Sequence, residues 1–506
     1  MEKSHFTTKA SKYIKGKYFT STVTSKTEVR EINEEINVDT QTSISLQENS
    51  TTELNDLHNC ILIPSYAKRV EGNMWLARVR GWAYGTSQTR KKKLVLAMAR
   101  RVAGLNKDDE QSKLLEDRIS MFLTKNIRNQ RYEVQITSLA HPSHMELDKD
   151  PNADDDDNGD DYGDDDDVKS NLSENTSNST STIYQDLSNT ENTGHFYGTI
   201  EIPVEIVDEW VAKAQKEGYK DENHTRLLKL KALPEGRKCA RPSYGSVSLI
   251  EVEGISVISD IDDTIKLTNI VGGPRAALSN TFLYDLCEVP GMAKVYMDWY
   301  NKGASIHYVS NSPWQLFPML KQFFHTKRFP PGSAHLKLYN DLVKKLFEEP
   351  GLSKYNYITE IFEDFPSRKF ILIGDSGEND MEIYSKIANK YPKQILHVFI
   401  RDVSTEILKK LPERSRSFSF IPTRSSSNIS IRTTKTMPPA VDTNNIIDSD
   451  IEYSVSSPEP LTPITPSDMA LQKFSDRVEA CKALVPNGAF TLFKSSEDYH
   501  VIIIST

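Results

Sequence analysis

Residues 255–265 read Ile-Ser-Val-Ile-Ser-Asp-Ile-Asp-Asp-Thr-Ile. An apolar, β-branched run ends in carboxylates at i and i+2, with a threonine two further on: Asp260-x-Asp262-x-Thr264. The run predicts a buried strand, and in open α/β sheets ligand chemistry sits just beyond the carboxyl ends of such strands. One carboxylate there can attack a phosphorus atom while its neighbour handles the proton. Three acids in four residues are costly beside a core unless positive charge neutralises them. Magnesium suits that task, because it takes carboxylate and phosphate oxygens together. The bland alternative is a solvated Asx-turn after a strand.

A second stretch repeats the pattern. Residues 370–380 read Phe-Ile-Leu-Ile-Gly-Asp-Ser-Gly-Glu-Asn-Asp. Gly374 and Gly377 permit a tight turn with space for an ion. Asp375 is then a candidate metal ligand, and Asp380 a ligand or an orienter of one. Between the two stretches, a third strand leads through Ile306-His-Tyr-Val into Ser310-Asn311-Ser312, a hydroxyl and an amide suited to a phosphoryl oxygen. Lys354 begins an amphipathic pattern in which Ile358, Ile361, Phe362 and Phe365 share a face, with Ser353 as a candidate cap. Lys337, Lys344 and Lys345 compete with it for the role of charge neutraliser, and a plain surface lysine is the bland reading.

These four elements, in this order, resemble the haloacid-dehalogenase phosphatase superfamily over about residues 250–405. The resemblance implies an α/β fold with a Rossmann-like parallel sheet. It implies Asp260 as the nucleophile that becomes an aspartyl-phosphate, Asp262 as general acid and base, and Thr264 as support for that geometry. Ser310 would bind the phosphoryl group and Lys354 would stabilise it. Asp375 would hold Mg2+ with Asp260 and the Asp262 backbone carbonyl. More finely, Ser259–Lys266, Tyr308–Gln315 and Ile373–Asp380, with the basic and aromatic Trp75–Arg101 upstream, are similar to the fungal actin-patch phosphatidate phosphatases, whose chemistry parallels the lipins. That implies Mg2+-dependent conversion of phosphatidate to diacylglycerol, by a cytoplasmic protein peripheral to membranes near cortical actin and endocytic sites.

Composition sets outer limits. A chain of 506 residues, 37% hydrophobic, can hold two domains plus tails, and a net charge of −9 argues against a nucleic-acid binder. Asp154–Asp157 and Asp164–Asp167 concentrate much of that charge; without EF-hand spacing they read as a solvated spacer. Cys60, Cys239, Cys287 and Cys481 lack paired spacing and read as reduced thiols. No signal-like amino-terminal stretch and no run of about 18 apolar residues is present in the sequence, so a lipid substrate would be met from outside the bilayer.

Residues 1–57 read as a disordered tail. Residues 58–250 read as a mainly β accessory domain, with strands at Leu76–Tyr84, Tyr132–Ile136, His195–Ile206 and Tyr244–Glu253, helical periodicity at Leu94–Val102 and Ser112–Thr124, and a disordered acidic insertion over 145–193. The family resemblance suggests a β-sandwich there. Residues 251–411 alternate strands with helices, as in a parallel sheet covered on both faces. The intervals around Ser310 are too short for a large cap domain, which favours a bulky or membrane-embedded phosphomonoester. Residues 412–467 read as a disordered linker whose Ser457-Pro, Thr462-Pro and Thr465-Pro pairs suit phosphorylation or SH3-type docking. Residues 468–506 read as a helix followed by a strand at Tyr499–Ile504.

Weaker signals keep two readings each. Arg90–Lys93 with Arg100 and Arg101 is a contact for anionic lipid or a solvated helix face. Trp314 and Phe317 line an acyl-chain entry or pack in the core, and His307 is a packed strand residue or a base. Gly272-Gly273-Pro274 forms a loop beside the site, with Asn311 and Arg275 as substrate contacts. Three functions compete: a phosphatidate phosphatase, a phosphoprotein phosphatase of the same superfamily, and an actin-patch adaptor with an inactive core.

Overall fold

Parallel strands covered on both faces are apolar throughout rather than alternating, and Ile255–Ser259 is such a strand: Val257 and Ile258 are wholly buried. The computed structural model describes residues 57–86, 90–140, 183–216, 226–236, 242–337, 351–410 and 465–497. The chain divides into two compact units, one formed by residues up to Val403 together with those from Cys481, the other by Ser404–Ala480.

The first unit opens with a nine-stranded sheet: β1 (Leu57–Ile63), β2 (Ser65–Val70), β3 (Met74–Thr86), β4 (Lys125–Asn126), β5 (Tyr132–Leu139), β6 (Ile183–Asp186), β7 (His195–Pro203), β8 (Leu227–Pro234) and β9 (Ser243–Ile250). Helices α1 (Arg90–Ala103) and α2 (Glu110–Ser120) follow β3, and α3 (Val204–Lys216) follows β7. The path runs β1-β3-β2-β9-β8-β5-β6, while the long β3 also pairs with β4 and β7. Period-2 burial explains the strands: Tyr132, Val134 and Ile136 of β5 are buried, as are Leu228, Leu230 and Ala232 of β8. Two expectations are corrected here. The strand beginning at His195 stops at Pro203, because Val204, Val207 and Trp210 recur at helical spacing and are buried as one face of α3. Residues 183–186, assigned to the acidic insertion, form β6 as an edge strand on β5, with Ile183 paired to Ile136. The Asp runs, Cys239, Lys344 and Lys345, the tail sites at 457–463 and the strand proposed at Tyr499–Ile504 lie outside the described residues.

The second sheet belongs to the same unit. Its elements are β10 (Ile255–Ser259), α4 (Pro274–Phe282), α5 (Met292–Asn301), β11 (Ser305–Pro313), α6 (Phe317–Thr326), β12 (Ser333–Lys337), α7 (Leu352–Asp364), β13 (Lys369–Asp375), α8 (Asp380–Lys390) and β14 (Ile395–Arg401). After α9 (Thr405–Lys409) and α10 (Pro466–Leu484), β15 (Phe490–Phe493) joins the edge of β14. The order β12-β11-β10-β13-β14-β15 is parallel at every pair. Connections leave β10 first toward β11 and later toward β13, so the sheet reverses direction at β10, the place where open α/β sheets bind ligands. Among the described residues, the intervals flanking β11 hold only α4, α5, a 3-10 turn at Trp314–Leu316, α6 and the short β12.

The two sheets share a core. Ile63 and Trp82 of the accessory sheet belong to the same buried cluster as Val257, Ile306 and Ile373. Trp82 meets Trp314 edge-on at 3.7 Å between ring centroids, which makes Trp314 a core residue, and Phe317 is buried as well. Ala334 N of β12 donates to Pro64 O at 3.0 Å. His307 is fully buried with Nδ1 2.8 Å from Ser333 Oγ, a packed strand residue rather than a base. In the other unit, Ser467 Oγ donates to Leu408 O at 2.8 Å, and Thr465 and Asp468 exchange hydrogen bonds at the start of α10.

Candidate active site

The site grows out of the carboxyl ends of β10 and β13. Asp260 N donates to Ile373 O at 2.8 Å, which joins the two strand ends where their carboxylates begin. Asp375 ends β13 and turns back on itself: its Oδ1 accepts from Gly377 N at 2.6 Å and Glu378 N at 3.2 Å. Gly374 is required because a Cβ there would run into the Asp380 carboxylate and the Tyr384 ring. Asp380 opens α8, and its Oδ2 accepts from Asp375 N at 3.3 Å. Asp260, Asp375 and Asp380 thus each bring a carboxylate oxygen within 4.8 Å of the others, all three buried.

One cation serves this cluster directly. Lys354 lies in the first turn of α7, with 0% of its side chain exposed. Its Nζ donates to Asp260 Oδ1 at 2.7 Å and to Asp380 Oδ1. Burial pushes the Asp260 carboxyl well above its usual range; Lys354 opposes that shift, and Asp380, Glu378 and Asp375 add to it. Asp375 is raised in the same direction, by burial first and then by Asp380 and Glu378. Asp260 Oδ2 and Asp375 Oδ2 have no hydrogen-bond partner among the described residues, nor does the hydroxyl of the buried Thr264. Ser353, proposed as the cap of α7, is not its N-cap. That position is Gly351 at φ 84°, a left-handed conformation that a glycine adopts without strain.

Asp262 occupies a different environment. It accepts from Lys266 Nζ at 2.7 Å, Thr268 Oγ1 at 2.7 Å, Ser310 Oγ at 3.2 Å and Ser312 Oγ at 2.6 Å. Burial alone would raise this carboxyl, but the Lys266 charge and these hydrogen bonds hold it well below the usual range. Its side chain stands outside the Asp260–Asp375–Asp380 group. Asp263, at φ 55°, turns away and accepts from the backbone N–H groups of Thr268, Asn269 and Ile270, while Arg401 Nη1 donates to its carbonyl at 2.6 Å. These bonds fold the 268–273 loop over the site, where Val271 fills the space that a side chain at Gly377 would need.

Among the substrate contacts expected from sequence, Ser310 is buried on Asp262 and Asn311 Nδ2 donates to Glu378 Oε2 at 3.1 Å. Gly272 and Gly273 lie in the loop behind Val271, and Arg275 is exposed in the first turn of α4. Lys337, a rival of Lys354, ends β12. The sequence reading passed over Lys266, Thr268, Ser312 and Glu378. Lys266, Ser312 and Glu378 belong to the segments that carry the resemblance, and the i,i+4 spacing of Asp262 and Lys266 is the signal available for that pair.

The arrangement can present one carboxylate oxygen to an electrophile, hold a hard cation, and keep a second carboxylate among hydroxyls. Residues 255–402 match the family model described as Phosphatidate phosphatase APP1, catalytic domain. An uncharacterized protein of Schizosaccharomyces pombe is 36% identical over 186 residues, covering 36% of this chain and 31% of the relative. Phosphatidate phosphatase APP1 of Saccharomyces cerevisiae is 40% identical over 158 residues, covering 30% of this chain and 27% of the relative. The chain therefore spans less than a third of the length of these curated relatives in matched sequence. Residues 255–402, which carry every carboxylate of the cluster, are thus similar to the catalytic domain of the APP1 phosphatidate phosphatases.

Proposed function

We propose that the chain is a Mg2+-dependent phosphatidate phosphatase that releases phosphate and leaves diacylglycerol by way of an aspartyl-phosphate on Asp260. The observation that carries this reading is the buried Asp260–Asp375–Asp380 group tied to Lys354, with an unpartnered oxygen on Asp260 and another on Asp375. The similarity to a phosphatidate phosphatase supplies the substrate class.

The residues fit a magnesium ion. Their donors are hard carboxylate oxygens, and among the described residues Asp260, Asp375 and Asp380 share Lys354 as their charge partner, an excess of negative charge that a divalent cation offsets. Asp260, Asp375 and Asp380, with the Asp262 backbone carbonyl, would hold it. When bound, the ion neutralises charge on the phosphoryl oxygens and makes the phosphorus more open to attack.

The protein's own groups do the rest. Lys354 holds Asp260 Oδ1 and leaves Oδ2 to attack the phosphorus as the bond to the glycerol oxygen breaks. Ser310 and Ser312 turn their hydroxyls from Asp262 to the phosphoryl oxygens. The arriving dianion and the loss of those two hydrogen bonds raise the Asp262 carboxyl, which takes up a proton. That proton passes to the leaving glycerol oxygen. Asp262, now an anion again beside Lys266, takes a proton from water; the water oxygen attacks the phosphorus and the bond to Asp260 breaks, releasing phosphate. Thr264 supports the Asp262 turn, while Asn311, Gly272, Gly273 and Arg275 are assigned to the headgroup. No helix among the described residues is long and apolar enough to cross a membrane, so in this reading the lipid is met at the bilayer surface. Placement near cortical actin rests on the family resemblance alone.

Phosphate release from phosphatidate in mixed micelles with magnesium tests the substrate class. Turnover abolished by EDTA is the expected result. Hydrolysis of p-nitrophenyl phosphate without turnover of phosphatidate would move the substrate to a phosphoprotein or another phosphoester, and no turnover of either would leave an adaptor.

A further inference from the structure

Helix α7 carries its charges the wrong way round. A helix favours acids near its N-terminus and bases near its C-terminus. Here Lys354 sits in the first turn, while Glu360, Glu363 and Asp364 crowd the end, where no base stands. Each reversed end is met by groups from another element. Asp260 and Asp380 take Lys354. At the other end, ten residues or about 15 Å away at 1.5 Å per residue, the accessory sheet takes Asp364 and Glu360, while Glu363 turns to the end of α8, accepting from Tyr391 Oη at 3.2 Å and pairing with Lys390 at 3.9 Å. Asp364 Oδ2 accepts from Tyr66 Oη at 2.6 Å and from Arg78 Nη2 at 2.6 Å, and its Oδ1 accepts from Lys68 Nζ at 2.6 Å. Glu360 pairs with Arg78 and, at 3.5 Å, with Arg80. The donors come from adjacent strands, since β2 pairs with β3 through Ala67 and Ala77, and Tyr66 also packs on Phe365 with centroids 5.3 Å apart.

We propose that Tyr66, Lys68 and Arg78 are positioning residues for Lys354: by clamping Asp364 they fix where α7 lies along its own axis, and so hold the lysine against Asp260 and Asp380. The inference rests on the reading of Lys354 as a catalytic group. It makes the accessory sheet part of the catalytic apparatus, because residues 255–402 alone lack all three donors. The helix has no side-chain cap to anchor it at Gly351. A misplacement of about 1 Å costs up to roughly a hundredfold in rate.

The full-length chain carries the test, with Asp364→Asn and Lys68→Gln assayed on phosphatidate and on p-nitrophenyl phosphate. Alongside, reductive methylation of Lys354 is read by mass spectrometry. The expected result is a kcat lower by about ten- to hundredfold with KM within about twofold of wild type, a Lys354 that becomes modifiable, and recovery of both readouts in Lys68→Arg. A folded variant with kcat within about twofold of wild type overturns the proposal, as does a kcat loss that leaves Lys354 unmodifiable. Should Asp364→Asn not fold, Lys68→Gln decides, since that side chain is already 25% exposed. A wild type inactive on both substrates defeats the functional reading instead, and the methylation of Lys354 still reports on the clamp.

Discussion

Replacing Lys354 with methionine removes one charge from the centre of the site while keeping most of the side chain's apolar stem. The Nζ–Oδ1 distance to Asp260 is 2.7 Å. At an effective dielectric constant of about 20, that contact alone represents roughly 6 kcal/mol of attraction. Burying the charges cancels much of it, and the measured cost of removing one partner of a buried pair is about 3–5 kcal/mol. Lys354→Met should therefore lose about 3–5 kcal/mol in urea unfolding in EDTA, where Asp260, Asp375 and Asp380 are left facing one another. Saturating magnesium should restore part of that loss, because a ligand that binds only the folded state stabilises it. Phosphate release should fall about a hundredfold or more even with magnesium present, as when one preorganised donor is removed from an active site. A folded variant within about 1 kcal/mol of wild type in EDTA and of similar activity would refute the reasoning.

Gly374→Ala should push the Asp380 carboxylate aside, because the new methyl group meets it and the Tyr384 ring. Magnesium affinity by calorimetry should fall about 10- to 100-fold, and unchanged affinity would count against Asp380 as a ligand or orienter. Burial pushes the His195 imidazole down to about 4 and, with the Arg368 charge, that of His307 down to about 3. Both are neutral in the fold and free to protonate once unfolded, so the stability they contribute is present above about pH 6.5 and is lost as pH falls toward those lower values. Between pH 6.5 and 5 each should cost about 1.6 kcal/mol in urea unfolding; a midpoint independent of pH over that range would refute the assignment.

What the sequence disclosed follows from how local each signal is. Asp260 and Asp375 were legible because each ends an apolar strand and each is followed by residues that demand a turn. Lys354 was legible only through the helix it begins. Nothing in its immediate sequence distinguishes it from Lys337, and the fold does so by burying it between Asp260 and Asp380. The placement of Asp262 among Ser312, Thr268 and Lys266 depends on the left-handed turn at Asp263 and on the end of β11, which join only when the sheet forms. The strand β15 is four residues long and pairs in parallel with a strand about ninety positions earlier, so no pattern in Phe490–Phe493 announced it. The strand β8 carried an alternation at Leu228, Leu230 and Ala232 that went unread. Asp364 looked like an ordinary helix-end acid, and its partners Tyr66, Lys68 and Arg78 lie nearly three hundred residues away.

The central claim is that Asp260 carries the phosphoryl group. Borohydride reduction of the enzyme during turnover of phosphatidate, followed by peptide mass spectrometry, tests it directly. An acyl-phosphate at Asp260 would be reduced to homoserine at that position, and the signal would vanish in Asp260→Asn and in EDTA. Turnover at full rate with Asp260 unmodified, or activity that survives Asp260→Asn, would contradict the account.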